Sequence, residues 1–501
     1  MTLTIQARAV AIAVALGVSS GPLAGQLPGQ LLESSLKARR LVTDAVAAIG
    51  GAAALNALTE VEYAGRGSLY NDTQDFDPLA ATRPSPATLS VVLDYKDSLF
   101  FQMIDSPPPG MFGAPVRLFF KAGTVYSTNP VQHTYTATHT DPSQWDFDAR
   151  FVPPVILQRV VKNMRSVTFA GEDVLNGEPV ESVDFTWNQG PRLRLVLSKA
   201  DHIIRALRFL GPDPLVGDDE HWIEFSGDQT LGGLRFPARA TMYQHQSRFL
   251  VMELADLRVN QAPDPAQFEL PVGFVETAAA GSTAETTKID ENLYEVSGLG
   301  GGYRSQFVDV GDGVVVFEAP LNKAVTRNVL AEIRKTVGDK PIKYVVLSHY
   351  HDDHASGLGV YVKAGATIVT VKGNEDVLTR YARAGSALVG MPAQPELQPK
   401  YLDVTGPSLE LAGATGRKLV VYRFQNLPHV NEMLALYDPA TRSMITADFF
   451  TRFFSPASPM YQRFAEWLRS PAAPAVDRIL GVHHPQMTKQ AYLDLVLAGT
   501  H

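Results

Sequence analysis

The chain has 501 residues, 45% hydrophobic and 19% charged, a composition of folded domains and a length too great for one hydrophobic core. Lys plus Arg number 44 against 52 Asp plus Glu, a net charge of −8 with no polybasic run, which argues against nucleic-acid binding. Cys is absent, which excludes disulfides, thiolate metal sites, a Cys nucleophile and a lipid anchor on Cys.

In chain order, Arg8 precedes an apolar run over 9–18, and small residues follow at Ser19, Ser20, Gly21, Ala24 and Gly25. The run is too short to cross a bilayer, which needs roughly 18 apolar residues, so residues 1–25 predict a signal peptide and a periplasmic or secreted protein. No later segment reaches spanning length. Residues 31–49 predict a helix stopped at Gly50-Gly51. From about 60 to 268 short runs alternate with period two, at 89–95, 116–121, 180–187, 192–195, 204–209, 221–225 and 249–259, interrupted by one helix over 153–164. These make residues 30–275 an antiparallel sheet wrapped against a helix. The small, polar stretch 276–287 predicts a linker. Over 288–501 strands at 313–317, 343–347, 367–371, 419–424, 433–437 and 479–482 alternate with helices, including 375–383 and 461–468, which implies sheets covered by helices and an α+β chain overall.

The chemistry is concentrated in Ser348-His349-Tyr350-His351-Asp352-Asp353-His354. With 12 histidines in 501 residues, a His-x-His-x-Asp-His spacing arises by chance with a probability on the order of 3 × 10⁻⁴. The run leaves an apolar strand and enters a helix. In extended chain His349 and His351 project to one side and can share a cation; the following turn can aim Asp353 and His354 at a second point nearby. Imidazole and carboxylate at this density suit zinc, iron or manganese better than calcium. Asp352 faces away and reads as solvated or supporting, Tyr350 as packing.

That motif resembles the signature of the metallo-β-lactamase-fold hydrolases, and the likeness extends over about 288–499. It implies an αβ/βα sandwich with metal ligands on loops at one edge of two facing sheets. It also implies three further ligands. His429 stands ahead of a strand, in the place of the family's third His. Asp448 ends the strand 443–447 and precedes Phe449-Phe450, resembling the turn whose carboxylate bridges both metals, with Ala447 in place of Gly. The last His falls in His483-His484-Pro485, where counting from the strand end favours His483 over His484. The hairpin 305–317 resembles the family's opening, although Glu318-Ala319-Pro320 stands where many relatives carry Asp, which puts the usual supporting hydrogen bonds in doubt. His133, His139, His202, His221 and His245 lack metal spacing and read as structural.

The N-terminal half, from the run 48–58 to the segment 268–274, resembles periplasmic lipoprotein carriers, half-open β-barrels that hold lipid chains in an apolar concavity. The resulting expectation is an exported hydrolase with two divalent transition-metal ions, Zn²⁺ before Fe or Mn. His349, His351 and His429 would hold one ion, and Asp353, His354 and His483 the other, with Asp448 shared. A metal-bound hydroxide, oriented by Asp353 as the catalytic carboxylate, would cleave an ester, lactone, thioester or amide bond in a small-molecule, lipophilic substrate. The β-rich half would take the acyl or aromatic portion, serve as a homodimer surface, or be an inert packing partner; a chain beginning near Ala280 is expected to keep its metals. The competing readings are a non-catalytic lipid- or metal-binding envelope protein and an iron oxidoreductase, the latter weakened by the lack of a nucleotide-binding glycine loop.

Overall fold

The computed structural model describes residues 27–106, 115–130, 133–139, 147–187, 192–277, 283–414, 416–451 and 456–498. The expected signal peptide lies outside them, and no described helix is long and apolar enough to cross a membrane.

Strand Glu60–Leu69 organises the N-terminal half, because it pairs antiparallel on both sides, with Ser85–Asp94 and with the chain-distant Ser247–Val259. From there the sheet runs outward one way through Leu99–Asp105, Val116–Lys121, Thr124–Asn129 and Thr134–His139. The other way it passes through Arg239–Gln244, Gly217–Ser226, Ile204–Asp213, Arg192–Ser198 and Glu178–Thr186 to the edge strand Thr168–Leu175. Alternating burial along these strands gives the sheet one apolar face. Helices Leu27–Ala48 and Pro153–Lys162 cover that face. Leu41, Val42, Ala45 and Ile49 from the first, and Val155, Ile156, Leu157 and Val160 from the second, join Val61, Tyr63, Leu93, Leu195, Leu207, Ile223 and Met252 in one core. Pro153 and Pro154 sit in the first turn of their helix, where no intrahelical N–H is needed. Gly50, at φ 130°, ends the first helix where a Cβ would lie 2.0 Å from the carbonyl oxygen of Gly233. A short helix, Gly51–Ala57, follows instead of a direct entry into the sheet.

Among the described residues, these helices therefore cover the apolar face of the sheet. A cavity beneath them, lined by Ile49, Pro153, Ile203, Ile204, Phe225 and Phe236, has a volume of about 20 Å³, which is room for about one water. Within the stretch 276–287, both described ends are paired strand. Val275–Glu276 already pairs with Thr134–His139, and Glu285–Asp290 is the first strand of the next sheet.

The C-terminal half contains two sheets around one core. The first has seven strands in the order Glu285–Asp290, Leu293–Ser297, Ser305–Asp309, Val314–Phe317, Ile342–Val346, Thr367–Thr370 and Lys400–Asp403. The last four are mutually parallel and joined through helices including Lys323–Val337, Gly359–Lys363 and Glu375–Arg383, so their inner members are apolar on both faces, as in Val314-Val315-Val316-Phe317. The second has six strands, among them Glu432–Asp438, Ser443–Thr446 and Arg478–Gly481, and packs against helices Pro459–Arg469 and Lys489–Ala498. Phe307, Val316 and Val346 of one sheet share a core with Leu434, Ile445 and Leu480 of the other.

The two halves are interlocked. Leu215, at the tip between strands Ile204–Asp213 and Gly217–Ser226, is buried in the C-terminal core. Beside it Asp218 accepts hydrogen bonds from Ser386 Oγ and from Ala387 N at 2.8 Å. A second prong, the loop 70–84 between strands Glu60–Leu69 and Ser85–Asp94, crosses onto the C-terminal half, where Asn431 N donates to Phe76 O at 2.9 Å. His245 ties the prongs together, with Nδ1 2.5 Å from Asp213 Oδ2 and Nε2 3.2 Å from Asp72 Oδ1.

Candidate metal centre

Topology delivers the chemistry to one edge. Parallel strands end on the same side, so the run after Ile342–Val346 and the residues just beyond Ser443–Thr446 and Arg478–Gly481 meet there. His349 and His351 follow the first, Asp448 the second and His483 the third, while His429 lies shortly before Glu432–Asp438. Asp353 and His354 sit in the single turn Asp352–Ala355.

The side chains converge. His349 Nε2 lies 3.0 Å from His351 Nδ1, and these two histidines with His429 present donor atoms all within 4.8 Å of one another. Asp353, His354 and His483 form a second such group; there His354 Nε2 is 3.3 Å from His483 Nε2 and 3.2 Å from Asp353 Oδ2. Asp448 stands between the groups. Its Oδ2 faces His429 Nε2 at 3.0 Å and His349 Nε2 at 3.8 Å, and its Oδ1 faces His483 Nε2 at 2.9 Å and His354 Nε2 at 3.1 Å. All the residues expected at the centre are thus brought together, and His483 rather than His484 enters it. His484 turns away, donating from Nδ1 to Pro485 O at 2.7 Å, and its ring lies 2.1 Å from where a Cβ on Gly481 would be, so a side chain there would have to displace the ring.

The donor set fits transition-metal cations. Ring nitrogens face ring nitrogens, and Asp448 Oδ1 is buried without a hydrogen bond of proper geometry although two imidazoles approach it. Nitrogen and oxygen donors in such small groups suit zinc, iron or manganese. The electrostatics agree. Burial first, then neighbouring imidazoles, lowers His349 far below the usual histidine range and His351 to about 3, so both are in the neutral, ligating form. Burial acts in the same direction on His354, yet Asp353, Asp448 and Glu318 outweigh it and push that ring well up. Buried negative charge draws a positive charge to this point. Asp353 and Asp448 are held well below the ordinary carboxylate range; burial opposes this, and His354 and His483 prevail.

Several supporting groups carried no signal in the sequence. Tyr303 O–H donates to Asp353 Oδ2 at 2.6 Å and its ring edge meets His483 at 4.5 Å between centroids. Burial and Asp353 push its hydroxyl far above the usual phenol range, so it stays a donor. Glu318, the departure noted above, accepts from Ser348 N at 2.9 Å and stands 3.6 Å from His354 Nδ1, beyond hydrogen-bond reach, so it acts on that ring through its charge. The remaining groups come from the other half of the chain. Gln74 Nε2 donates to Asp352 Oδ1 and to Asp353 Oδ1 at 2.8 Å, and Asp75 O accepts from His351 Nε2 at 2.8 Å and from Tyr350 O–H at 2.5 Å. Asp352 is therefore a supporting carboxylate, and Tyr350 is more than packing.

Residues 305–466 match the family model described as the metallo-beta-lactamase superfamily. A linear primary-alkylsulfatase of Pseudomonas sp. (strain ATCC 19151) is 34% identical over 88 residues, 17% of this chain and 16% of that protein. The match thus spans about one sixth of the relative's length. Among solved structures, the stereoselective inverting sec-alkylsulfatase Pisa1 from Pseudomonas sp. is 17% identical over 43% of this chain and 42% of its own, with a TM-score of 0.33. The metallo-beta-lactamase FIM-1 from Pseudomonas aeruginosa, in its mono-zinc form, is 14% identical over 44% of this chain and 98% of its own, also at 0.33.

Proposed function

From a C-terminal domain that belongs to the metallo-beta-lactamase superfamily, we propose that the chain is an exported hydrolase with a dinuclear metal centre, acting on an ester-type bond of a small molecule. One observation carries this reading: the two oxygens of Asp448 face different donors, Oδ2 towards His349 and His429 and Oδ1 towards His354 and His483, while Asp448 itself groups with His349 and His354. His349, His351 and His429 would hold one cation and Asp353, His354 and His483 the second. Divalent cations bound there, Zn²⁺ before Fe or Mn, would supply Lewis acidity and lower the pKa of a water molecule to roughly 7.

The chain's own residues do the rest. Asp353 is ionised, and Tyr303 and Gln74 fix its two oxygens. It accepts a hydrogen bond from the attacking water and orients it toward the scissile centre. Burial of the imidazoles excludes bulk water and strengthens each interaction with charge that develops during attack. Export rests on the sequence of residues 1–25.

A sulfate ester heads the substrates to test because the curated relative is an alkylsulfatase. The full chain should hydrolyse at least one member of a chromogenic panel of alkyl sulfates, carboxylic esters, thioesters, lactones and β-lactams, and a chelator should abolish that activity. Turnover unaffected by complete chelation would contradict the reading.

A further inference from the structure

The loop 70–84 belongs to the N-terminal domain, yet its residues touch the groups expected to ligate metal in the C-terminal one. A carbonyl oxygen only accepts, so the contact from His351 Nε2 to Asp75 O requires the proton on Nε2. The lone pair is then on Nδ1, the atom that faces His349 Nε2. An imidazole's outer hydrogen bond sets which nitrogen can bind metal. Here that partner is contributed by a segment 276 residues away in sequence. Gln74 acts on the other donor group. Its carboxamide has two N–H donors and gives one to each of the adjacent carboxylates of Asp352 and Asp353, which would otherwise repel across a shared turn.

The loop is built to hold these two groups still. Its ends continue into paired strands, and Tyr70 N donates to Phe249 O at 2.7 Å. The Asp75 side chain accepts from Phe76 N and from Arg83 N, each at 2.6 Å, and from Arg83 Nε at 2.9 Å, which aims its own carbonyl outward. Thr73 Oγ1 donates to Asn71 Oδ1 at 2.9 Å, and Asp72 is gripped by His245.

We propose that Gln74 and the Asp75 carbonyl are positioning groups of the metal centre, so that a site housed in the C-terminal domain is completed by the N-terminal domain. Asp75 selects the His351 tautomer that presents Nδ1, and Gln74 holds Asp353 toward His354 and His483. The inference rests on the dinuclear reading above and adds a role for the β-rich half that does not depend on substrate.

The test uses the full chain stripped of metal and titrated with Co²⁺, read by stoichiometry and by the ligand-field spectrum, alongside the Tm of each metal-free protein. Gln74→Leu should keep the metal-free Tm within a few degrees of wild type while weakening one of two Co²⁺ ions about 10–100-fold, the usual scale for loss of an outer partner. Asp75→Ala, which frees the carbonyl, should weaken the other ion and alter its spectrum; Asp75→Asn, which keeps an acceptor for Phe76 N, should restore much of it. Wild-type affinities and spectra in both Gln74→Leu and Asp75→Ala would overturn the proposal. So would loss of metal that only accompanies a large fall in metal-free Tm, because that would make the loop a merely structural brace. Failure of the wild-type chain itself to take up Co²⁺ would instead overturn the dinuclear reading.

Discussion

Consecutive histidines at one strand end have opposite fates, and the cause is local. His483 points into the donor group with Asp353 and His354, whereas His484 packs into the space left by Gly481 and edges against Phe450 at 5.3 Å between ring centroids. His483→Ala should therefore release a metal ion and most hydrolysis, while His484→Ala should retain metal content and lower Tm by leaving a cavity. Metal analysis of both variants checks this, and the reverse ranking would reassign the ligand. The motif from His349 to His354 was legible because neighbours in sequence become neighbours in space within one turn. His429, Asp448 and His483 became legible only through resemblance, since each alone is an ordinary polar residue beside a strand. Gln74 and Asp75 had no legible signal. Their partners are 275 or more residues distant, and a side-chain amide and a main-chain carbonyl have no composition signature.

Among the elements, those with strong periodicity were readable. Glu375–Arg383 forms the helix expected over 375–383, and Val116–Lys121 forms the strand expected over 116–121. That Leu27–Ala48 shares the apolar face with Pro153–Lys162 was not readable, because alternation reveals such a face but not everything that covers it. Nor was the role of His245, one of the histidines without metal spacing, which sits in the turn between Arg239–Gln244 and Ser247–Val259 and joins two prongs of the N-terminal half. Burial opposes its charge, but Asp213 and Asp72 outweigh that and raise it to about 10 from an ordinary 6.5. A raised histidine stabilises fully below its unfolded value and loses that contribution as pH climbs through the folded one. The Tm advantage of the wild type over His245→Gln should be full near pH 6.5 and vanish toward pH 10. An advantage that grows across that window would show that the clamp is not an ion pair.

At the scale of the molecule, the N-terminal sheet reaches into the core shared by the two C-terminal sheets. Leu215 is buried among C-terminal core residues although it belongs to the N-terminal sheet. Leu215→Ala should cost about 2–5 kcal/mol, as for other buried leucines. The loss should appear when denaturant unfolding is followed in the C-terminal domain; a C-terminal transition that does not move would show that the domains fold independently. With Gln74 and Asp75 as positioning groups, a chain starting near Ala280, which lacks both, should bind metal more weakly than the full chain, which metal titration of the two chains checks. What unites the account is a centre in which Asp448 is shared between two sets of donors. Its most direct test is the transition-metal content of the purified full chain by mass spectrometry. Close to two ions per chain, falling toward one in His351→Ala, is the predicted result; no bound transition metal, or undiminished content in that variant, would contradict it.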